Sequence, residues 1–124
     1  MEKAYLIAKY LLALLLIVFG ANKFVGFMPM PDYAPVSPQL NYMIGLSGVH
    51  IFPVLGIIYI GSAILLLTNR MVGLATVILA AIAFNFLLFH IVLDPAGLPP
   101  AILFTVLLGL VMAGNKSKYE GLLQ

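Results

Sequence analysis

Four long apolar runs, separated by polar or proline-rich segments, organise this chain. They cover approximately residues 5–22, 49–68, 71–93 and 98–113. A helix needs about 20 apolar residues to cross a membrane, because each residue advances it by about 1.5 Å. The runs have roughly this length, so the pattern predicts an all-α fold: a single domain over residues 1–124, built as an integral membrane four-helix transmembrane bundle.

A proline-rich loop over residues 24–48 separates the first two runs. Pro29, Pro31 and Pro35 disfavour a regular helix there, because proline lacks a backbone N–H and clashes with the preceding turn. Ser37 followed by Pro38 is typical of a helix start. We therefore expect a short amphipathic helix over residues 39–46, lying at the interface and covering the outer mouth of the bundle.

The composition supports a membrane protein and excludes several functions. Hydrophobic residues make up 64% of the chain and charged residues 8%, whereas a soluble domain carries about 25% charged residues. Cysteine is absent, which excludes disulfide exchange, thiolate metal ligation and thiol nucleophiles. Neither a glycine-rich nucleotide fingerprint after a strand nor a basic stripe for nucleic acid is present.

The basic residues predict the orientation in the membrane. With four spans, both termini and the turn between the second and third spans share one side. Five of the six Lys and Arg residues fall on that side, and only Lys23 falls on the other: Lys3, Lys9, Arg70, Lys116 and Lys118. The positive-inside rule then places both termini in the cytoplasm, with Lys9 extending its ammonium group to the inner interface.

The third run carries polar groups that need a partner. An unpaired polar group in hydrocarbon costs on the order of a few kcal/mol, so Asn85 and His90 must meet another helix, water or a ligand. At 100° per residue the two lie about 140° apart and face different neighbours. His90 shares its side with Thr76 and Ala83, whose small size favours close helix packing. We therefore expect His90 to point into the bundle, with Asp94 one turn later able to orient it.

Several of these polar residues should lie at one depth. Asn22, Lys23, His50, His90 and Asp94 all fall at the outer ends of their spans, with Asn85 and Tyr59 deeper. Together they form our candidate ligand-binding set. A pocket that is apolar below and ionisable at its rim suits an amphipathic ligand, such as a quinone whose carbonyl oxygen accepts a hydrogen bond from His or Lys.

Structural roles compete with each of these assignments. An amide in a membrane helix equally suits an interhelical hydrogen bond, Lys23 and His50 suit interface anchors, and Asp94 before Pro95 suits a helix-ending turn. Two histidines are too few for a closed zinc site unless Asp94 or Asp32 joins them. Axial haem ligation by His50 and His90 is geometrically allowed but disfavoured, so the sequence predicts neither a metal nor an intrinsic cofactor.

Four segments in this order resemble the DoxX-like family of small four-helix bacterial membrane proteins. They are FGANKF at 19–24, GSAILLLTNR at 61–70, NFLLFH at 85–90 and DPAGLP at 94–99. The resemblance implies a bacterial inner-membrane protein; some relatives are associated with quinone-linked sulfur oxidation or with oxidative-stress complexes. Relatives often carry an acidic residue in the second span, near Tyr59, and a basic one near Gly56, whereas both positions are uncharged here.

These observations lead to one expected function and two alternatives. The first is a quinone- or lipophilic-ligand-binding subunit of a membrane redox system, at most one subunit of a quinone-linked oxidoreductase. His90 would donate to the ligand, Asn22, Lys23 and Asn85 would position it, and a partner redox subunit would supply the electrons. The second is a non-enzymatic scaffold or assembly factor, alone or as a homo-oligomer, whose polar residues only join helices. A small transporter is disfavoured, because no carboxylate lies in mid-membrane.

Overall fold

The computed structural model describes residues 2–28 and 31–123, which form five α-helices and two 3₁₀-helices without any β-strand. The two 3₁₀ segments cover Pro95–Gly97 and Lys116–Leu123. The α-helices are α1 (Glu2–Val25), α2 (Pro38–Gly48), α3 (Ile51–Thr68), α4 (Val72–Val92) and α5 (Leu98–Ala113).

Four of the helices form a closed ring. Helix α1 packs against α3 and α5, and α4 packs against the same two helices, with α1 and α3 in the most extensive contact. These four helices are long and apolar enough to cross a membrane. The predicted all-α four-helix bundle is thus confirmed, and the protein is a multi-pass membrane protein.

The first span is longer than the sequence pattern predicted. Helix α1 continues past Asn22 to Val25 and ends at Gly26, whose φ of 69° lies in the left-handed region. The N–H of Gly26 donates to the carbonyl of Asn22 at 2.9 Å. A glycine in this conformation is the usual helix stop, because it has no Cβ to clash. The glycine, and not the polar pair before it, therefore ends the helix.

Lys9 does not extend to the interface as predicted. Its side chain is 3% exposed, and its ammonium group donates to Oδ1 of Asn69 at 2.6 Å. Asn69 lies in the turn between α3 and α4 with φ 54°. The turn thereby supplies a partner inside the bundle, which removes the need for Lys9 to reach water.

Helix α2 forms within the proline-rich segment, as its start signal predicts. Ser37 caps it by accepting a hydrogen bond from the N–H of Leu40 at 3.2 Å, and Pro38 occupies the first turn. Pro29 and Met30, part of the predicted loop, lie outside the described residues. None of the residues in α2 is fully buried, so this helix rests on the bundle without joining its core.

Small residues bring α1 and α3 close together. A Cβ built on Gly20 would lie 2.8 Å from Cγ1 of Ile60 and 3.2 Å from the carbonyl oxygen of Gly56. A Cβ on Gly56 would lie 2.6 Å from Cε2 of Phe24 and 3.0 Å from Cβ of Lys23. Close backbone approach at glycine is a common basis of helix association in membranes, and it holds the C-terminal half of α1 against the N-terminal half of α3.

The start of α1 and the C-terminal 3₁₀ segment lie at the same end of the bundle. A Cβ on Gly114, after α5, would overlap the ring of Tyr5 near the start of α1. The Tyr119 hydroxyl lies 2.5 Å from Oγ1 of the buried Thr76, near the start of α4. The C-terminal segment thus folds back onto the bundle, and we call this the terminal end.

Candidate functional site: a covered cavity

A cavity of about 370 Å³ lies at the end of the bundle opposite the termini. All four spanning helices line it, and the segment before α2 together with α2 itself covers it. The floor and walls are mainly apolar, with Leu16, Phe19, Leu55, Phe86 and Phe104 among the lining residues. The volume falls within the range of about 300–1,000 Å³ that is typical of small-molecule pockets.

Five of the seven predicted ligand-binding residues line this cavity. They are Asn22, Lys23, Tyr59, His90 and Asp94. These residues come together because they lie at the same depth in their spans. When the helices pack into a bundle, side chains at the same depth become neighbours. The angular argument for the third span also agrees with the geometry, because His90 faces the cavity while Asn85 is exposed on another side of α4.

The remaining two predicted residues do not reach the cavity, which corrects their place in the candidate set. His50 is exposed at the start of α3, with φ 58° and no side-chain cap hydrogen bond. Asn85 donates from Nδ2 to the carbonyl of Ala81 at 2.9 Å. That bond within its own helix satisfies one N–H and takes the place of the expected partner from another helix. Since only His90 of the two histidines lines the cavity, the structure offers no pair of axial haem ligands there.

Asp94 contacts two other polar side chains at the cavity rim. Its Oδ2 accepts a hydrogen bond from the hydroxyl of Tyr33 at 2.8 Å and lies 3.6 Å from Nδ1 of His90. Next to it, the carbonyl of Leu93 accepts from Nε2 of Gln39 at 2.7 Å. These bonds tie the segment before α2 and the first turn of α2 to the end of α4.

His90 is held in one orientation by the turn that follows α4. Its Nδ1 lies 3.1 Å from the carbonyl oxygen of Asp94, and the Phe89 ring meets it edge to face. The ring also packs directly on Gly97, where an added Cβ would overlap Cε1 and Nδ1. With Nδ1 engaged by Asp94, Nε2 is the ring nitrogen that remains for a ligand.

Lys23 and Asn22 face the cavity from α1. The ammonium group of Lys23 lies 5.5 Å from the centroid of the Phe52 ring, a distance that favours a cation–π contact. Among the side chains of residues 3–28 and 31–122, no carboxylate oxygen lies within 4.0 Å of the Lys23 ammonium group. Asn22 accepts a hydrogen bond from the N–H of Met28 at 2.8 Å through Oδ1, which fixes its amide at the rim.

Tyr59 belongs to the floor of the cavity and carries an unpaired hydroxyl. Its ring contacts those of Phe86 and Phe104, with centroids 6.3 and 6.5 Å away. The side chain is 2% exposed, and its hydroxyl oxygen is buried without a hydrogen-bond partner among the described residues. An unsatisfied buried hydroxyl costs about 1–3 kcal/mol.

Comparison with protein-family models, with curated proteins and with solved structures gave no match. The site therefore has to be interpreted from its own chemistry. Within the described part of the chain no three His, Cys, Asp or Glu side chains come together as a metal site. The arrangement present is an apolar cavity with a cation, an imidazole and a carboxylate at its rim.

The sequence alone missed four residues that shape the site: Tyr33, Gln39, Tyr42 and Gly97. Tyr33 stands among prolines beside Asp32, a pattern that indicated only a loop. Nothing in the local sequence of Gln39 or Gly97 identifies the carbonyl or the imidazole that each contacts. Only Tyr42 could have been found from the sequence, because it is an aromatic residue within the predicted covering helix 39–46.

The bond between Tyr33 and Asp94 leads to a prediction about pH. Burial, followed by the hydrogen bond and the negative charge of Asp94, raises the pKa of Tyr33 to about 12 from its ordinary 10.0. A raised pKa favours the protonated hydroxyl, so this contact stabilises the fold below about pH 10 and is lost as the pH rises through about 12.

Difference titration of phenolate absorbance between the unaltered protein and Tyr33→Phe isolates this hydroxyl from the other tyrosines. We expect its midpoint to move down towards 10 in Asp94→Asn, since the anionic acceptor is then gone. A midpoint that stays unchanged in Asp94→Asn would contradict the proposed bond.

Proposed function

We propose that the protein binds a lipophilic, amphipathic molecule of the quinone class in the covered cavity, as a ligand-binding subunit of a membrane redox system. The observation that carries the proposal is the convergence of Lys23, His90 and Asp94 on one apolar cavity. A quinone head offers a carbonyl oxygen on an apolar ring, which matches the polar rim and the apolar walls of the cavity.

His90 contributes a proton-coupled contact in this proposal. When Nδ1–H donates to Asp94, the neutral ring presents Nε2 as an acceptor, which suits the hydroxyl of the reduced, quinol form. When the ring is protonated, Nε2 donates to the carbonyl oxygen of the oxidised form. The sequence suggested a donor only; the contact of Nδ1 with Asp94 supports both roles, according to the charge of the ring.

Lys23 supplies the fixed positive charge. A Cβ built on Gly56 would lie only 3.0 Å from the Cβ of Lys23. The glycine on α3 therefore leaves room for this lysine on α1. Relatives often carry a basic residue near Gly56, whereas in this chain Lys23, within the shared FGANKF segment, is the cation at this place. The missing acidic residue has its counterpart in Asp94, which faces the same cavity from the end of α4.

We extend the proposal to location and partners. A DoxX-like protein with this distribution of basic residues lies in the bacterial inner membrane with both termini in the cytoplasm. The cavity then opens in the outer leaflet. The chain contains no cysteine and therefore no thiol–disulfide couple; in this proposal a partner subunit supplies the electrons to a bound quinone.

Blocking the cavity tests the proposal. Ala101 lines it and is 5% exposed, so Ala101→Phe places a ring in the ligand volume. With decylubiquinone as probe, binding is followed by quenching of tyrosine fluorescence in this tryptophan-free chain. We expect Ala101→Phe to weaken binding more than tenfold, and the control Ala4→Phe, at an exposed position of the terminal end, to leave it unchanged.

The scaffold alternative gives a different result. If the unaltered protein neither retains a quinone in an organic extract nor binds decylubiquinone, the quinone proposal is wrong. Binding that persists fully in Ala101→Phe would place the ligand outside the cavity and would also contradict it.

A further inference from the structure

A second concave surface lies on the outside of the bundle, next to the cavity. It is a groove between α2 and α4, lined by Tyr42, Asn85, Leu88, Phe89, Val92 and Leu93. Leu88 is 51% and Val92 64% exposed, and both are apolar residues of a spanning helix. The groove therefore faces the hydrocarbon of the bilayer.

Asn85 is the polar group of this groove. One of its N–H groups donates to Ala81, while its Oδ1 and second N–H have no partner among the described residues. An amide exposed to hydrocarbon is costly. A polar ligand atom arriving through the bilayer would lower that cost, and an amide can donate to a carbonyl or accept from a hydroxyl.

Only one aromatic pair separates the groove from the cavity. Tyr42 of α2 and Phe89 of α4 line both spaces, and their rings stack with centroids 4.8 Å apart and planes 19° from parallel. No other residue lines both. Separating these two rings would join the groove to the cavity.

Helix α2 is attached in a way that allows this separation. Its first turn is tied to α4 by Gln39, and the segment before it by Tyr33. By contrast, Tyr42 meets α4 through ring stacking, and no residue of α2 is fully buried. The other end of α2 continues through Val49 and His50 into α3. Because both ends are attached, separation requires that the Tyr42 and Phe89 rings turn apart, which breaks no buried core.

We propose that the groove is an outer binding subsite for the same quinone-class ligand, and that the ligand passes laterally from the bilayer between Tyr42 and Phe89 into the cavity. Asn85 holds the head group at the first stage, and His90 and Lys23 hold it at the second. This inference rests on the proposed function and adds its route. It also gives Asn85 a role that its position outside the cavity had left open.

The test measures the association and dissociation rates of the ligand, because a change of route alters both rates and leaves the equilibrium affinity unchanged. The protein is reconstituted in phosphatidylcholine vesicles, and the association and dissociation of decylubiquinone are followed by tyrosine quenching in a stopped-flow instrument. We expect Asn85→Leu to slow both rates by about threefold, the effect of one hydrogen bond within a membrane protein. Asn115→Leu is the matched control, because Asn115 makes the same bond within the chain, to Val111, at the terminal end.

A second variant tests the aromatic partition. In this cysteine-free chain, Tyr42→Cys with Phe89→Cys introduces two thiols that a short, reducible crosslinker can join. Joining them should slow association and dissociation at least tenfold, and reduction should restore both rates in the same sample. Each comparison is made within one variant, so any change in the cavity lining cancels.

Three results would overturn the lateral route. The first is that both rates stay unchanged after crosslinking. The second is that Tyr33→Phe speeds binding while Asn85→Leu has no effect, since the ligand would then enter through the outer mouth of the cavity. Conversion of a dimer to a monomer by Asn85→Leu, at unchanged rates, would make the groove an interface between copies. Failure of the proposed function is distinct, because the unaltered protein would then not bind the probe at equilibrium.

Discussion

Replacing Gly97 by alanine is expected to weaken quinone binding about tenfold while leaving the fold intact. Gly97 has φ −89° and ψ 3°, which alanine adopts without strain. The effect is therefore steric: the new Cβ would overlap Cε1 and Nδ1 of His90 and lie 3.1 Å from Nε2. The ring must turn away from Asp94, and the loss of one hydrogen bond of this kind is worth about 1.4 kcal/mol, or tenfold in affinity.

A double-mutant cycle shows whether Gly97 acts through His90. His90→Ala should cause a similar loss, and adding Gly97→Ala to it should cause no further loss, because the displaced ring is already gone. Gly109→Ala is the control, since a Cβ there meets no atom within 4 Å. Additive losses in the double variant would mean that Gly97 contributes to binding by another route.

Replacing Gly56 by leucine is expected to give the largest loss of stability of any single change discussed for this protein. The Cβ alone would lie 2.6 Å from Cε2 of Phe24 and 3.0 Å from Cβ of Lys23, and the remaining leucine atoms need still more space between α1 and α3. Overpacking of this kind costs about 3 kcal/mol. Unfolding by sodium dodecyl sulfate, monitored by circular dichroism in mixed micelles, measures the change.

Gly61→Leu is the matched control for Gly56→Leu, because it lies on the same helix and a Cβ there meets no atom within 4 Å. It should unfold close to the unaltered protein. Equal losses in the two variants would show that the cost comes from the helix itself and not from the contact of α1 with α3. Since Lys23 takes part in that contact, quinone affinity should fall with stability in Gly56→Leu only.

Apolar run length was sufficient to locate the spans. The predicted runs 49–68, 71–93 and 98–113 end within two residues of α3, α4 and α5, because a membrane span must be apolar over a fixed length and is followed by polar, proline or glycine residues. The first span was the exception. There the polar residues Asn22 and Lys23 suggested an end, yet a helix that borders a cavity can carry polar side chains on the cavity side and continue.

Depth along the spans could also be predicted, and it grouped most of the site. Asn22, Lys23, His90 and Asp94 share one end of the bundle because consecutive spans run antiparallel, which brings the end of one odd-numbered span beside the end of the other. Depth does not specify azimuth, however. The direction around the helix axis separates Asn85, on the exposed face of α4, from His90, on the cavity face. His50 likewise lies away from the cavity.

The sequence by itself thus determined the fold class, the spans, the covering helix and the polar end of the bundle. These follow from the length of the apolar runs, from the proline and glycine residues that end helices, and from the positions of polar residues along the spans. Only the tertiary structure decided that Lys9 pairs with Asn69, that Tyr33 bonds Asp94, that Gly97 supports His90 and that Tyr42 stacks on Phe89. The physical reason is that these contacts join residues from separate elements. Their partners are chosen by how the helices rotate and pack, and no local pattern records that choice.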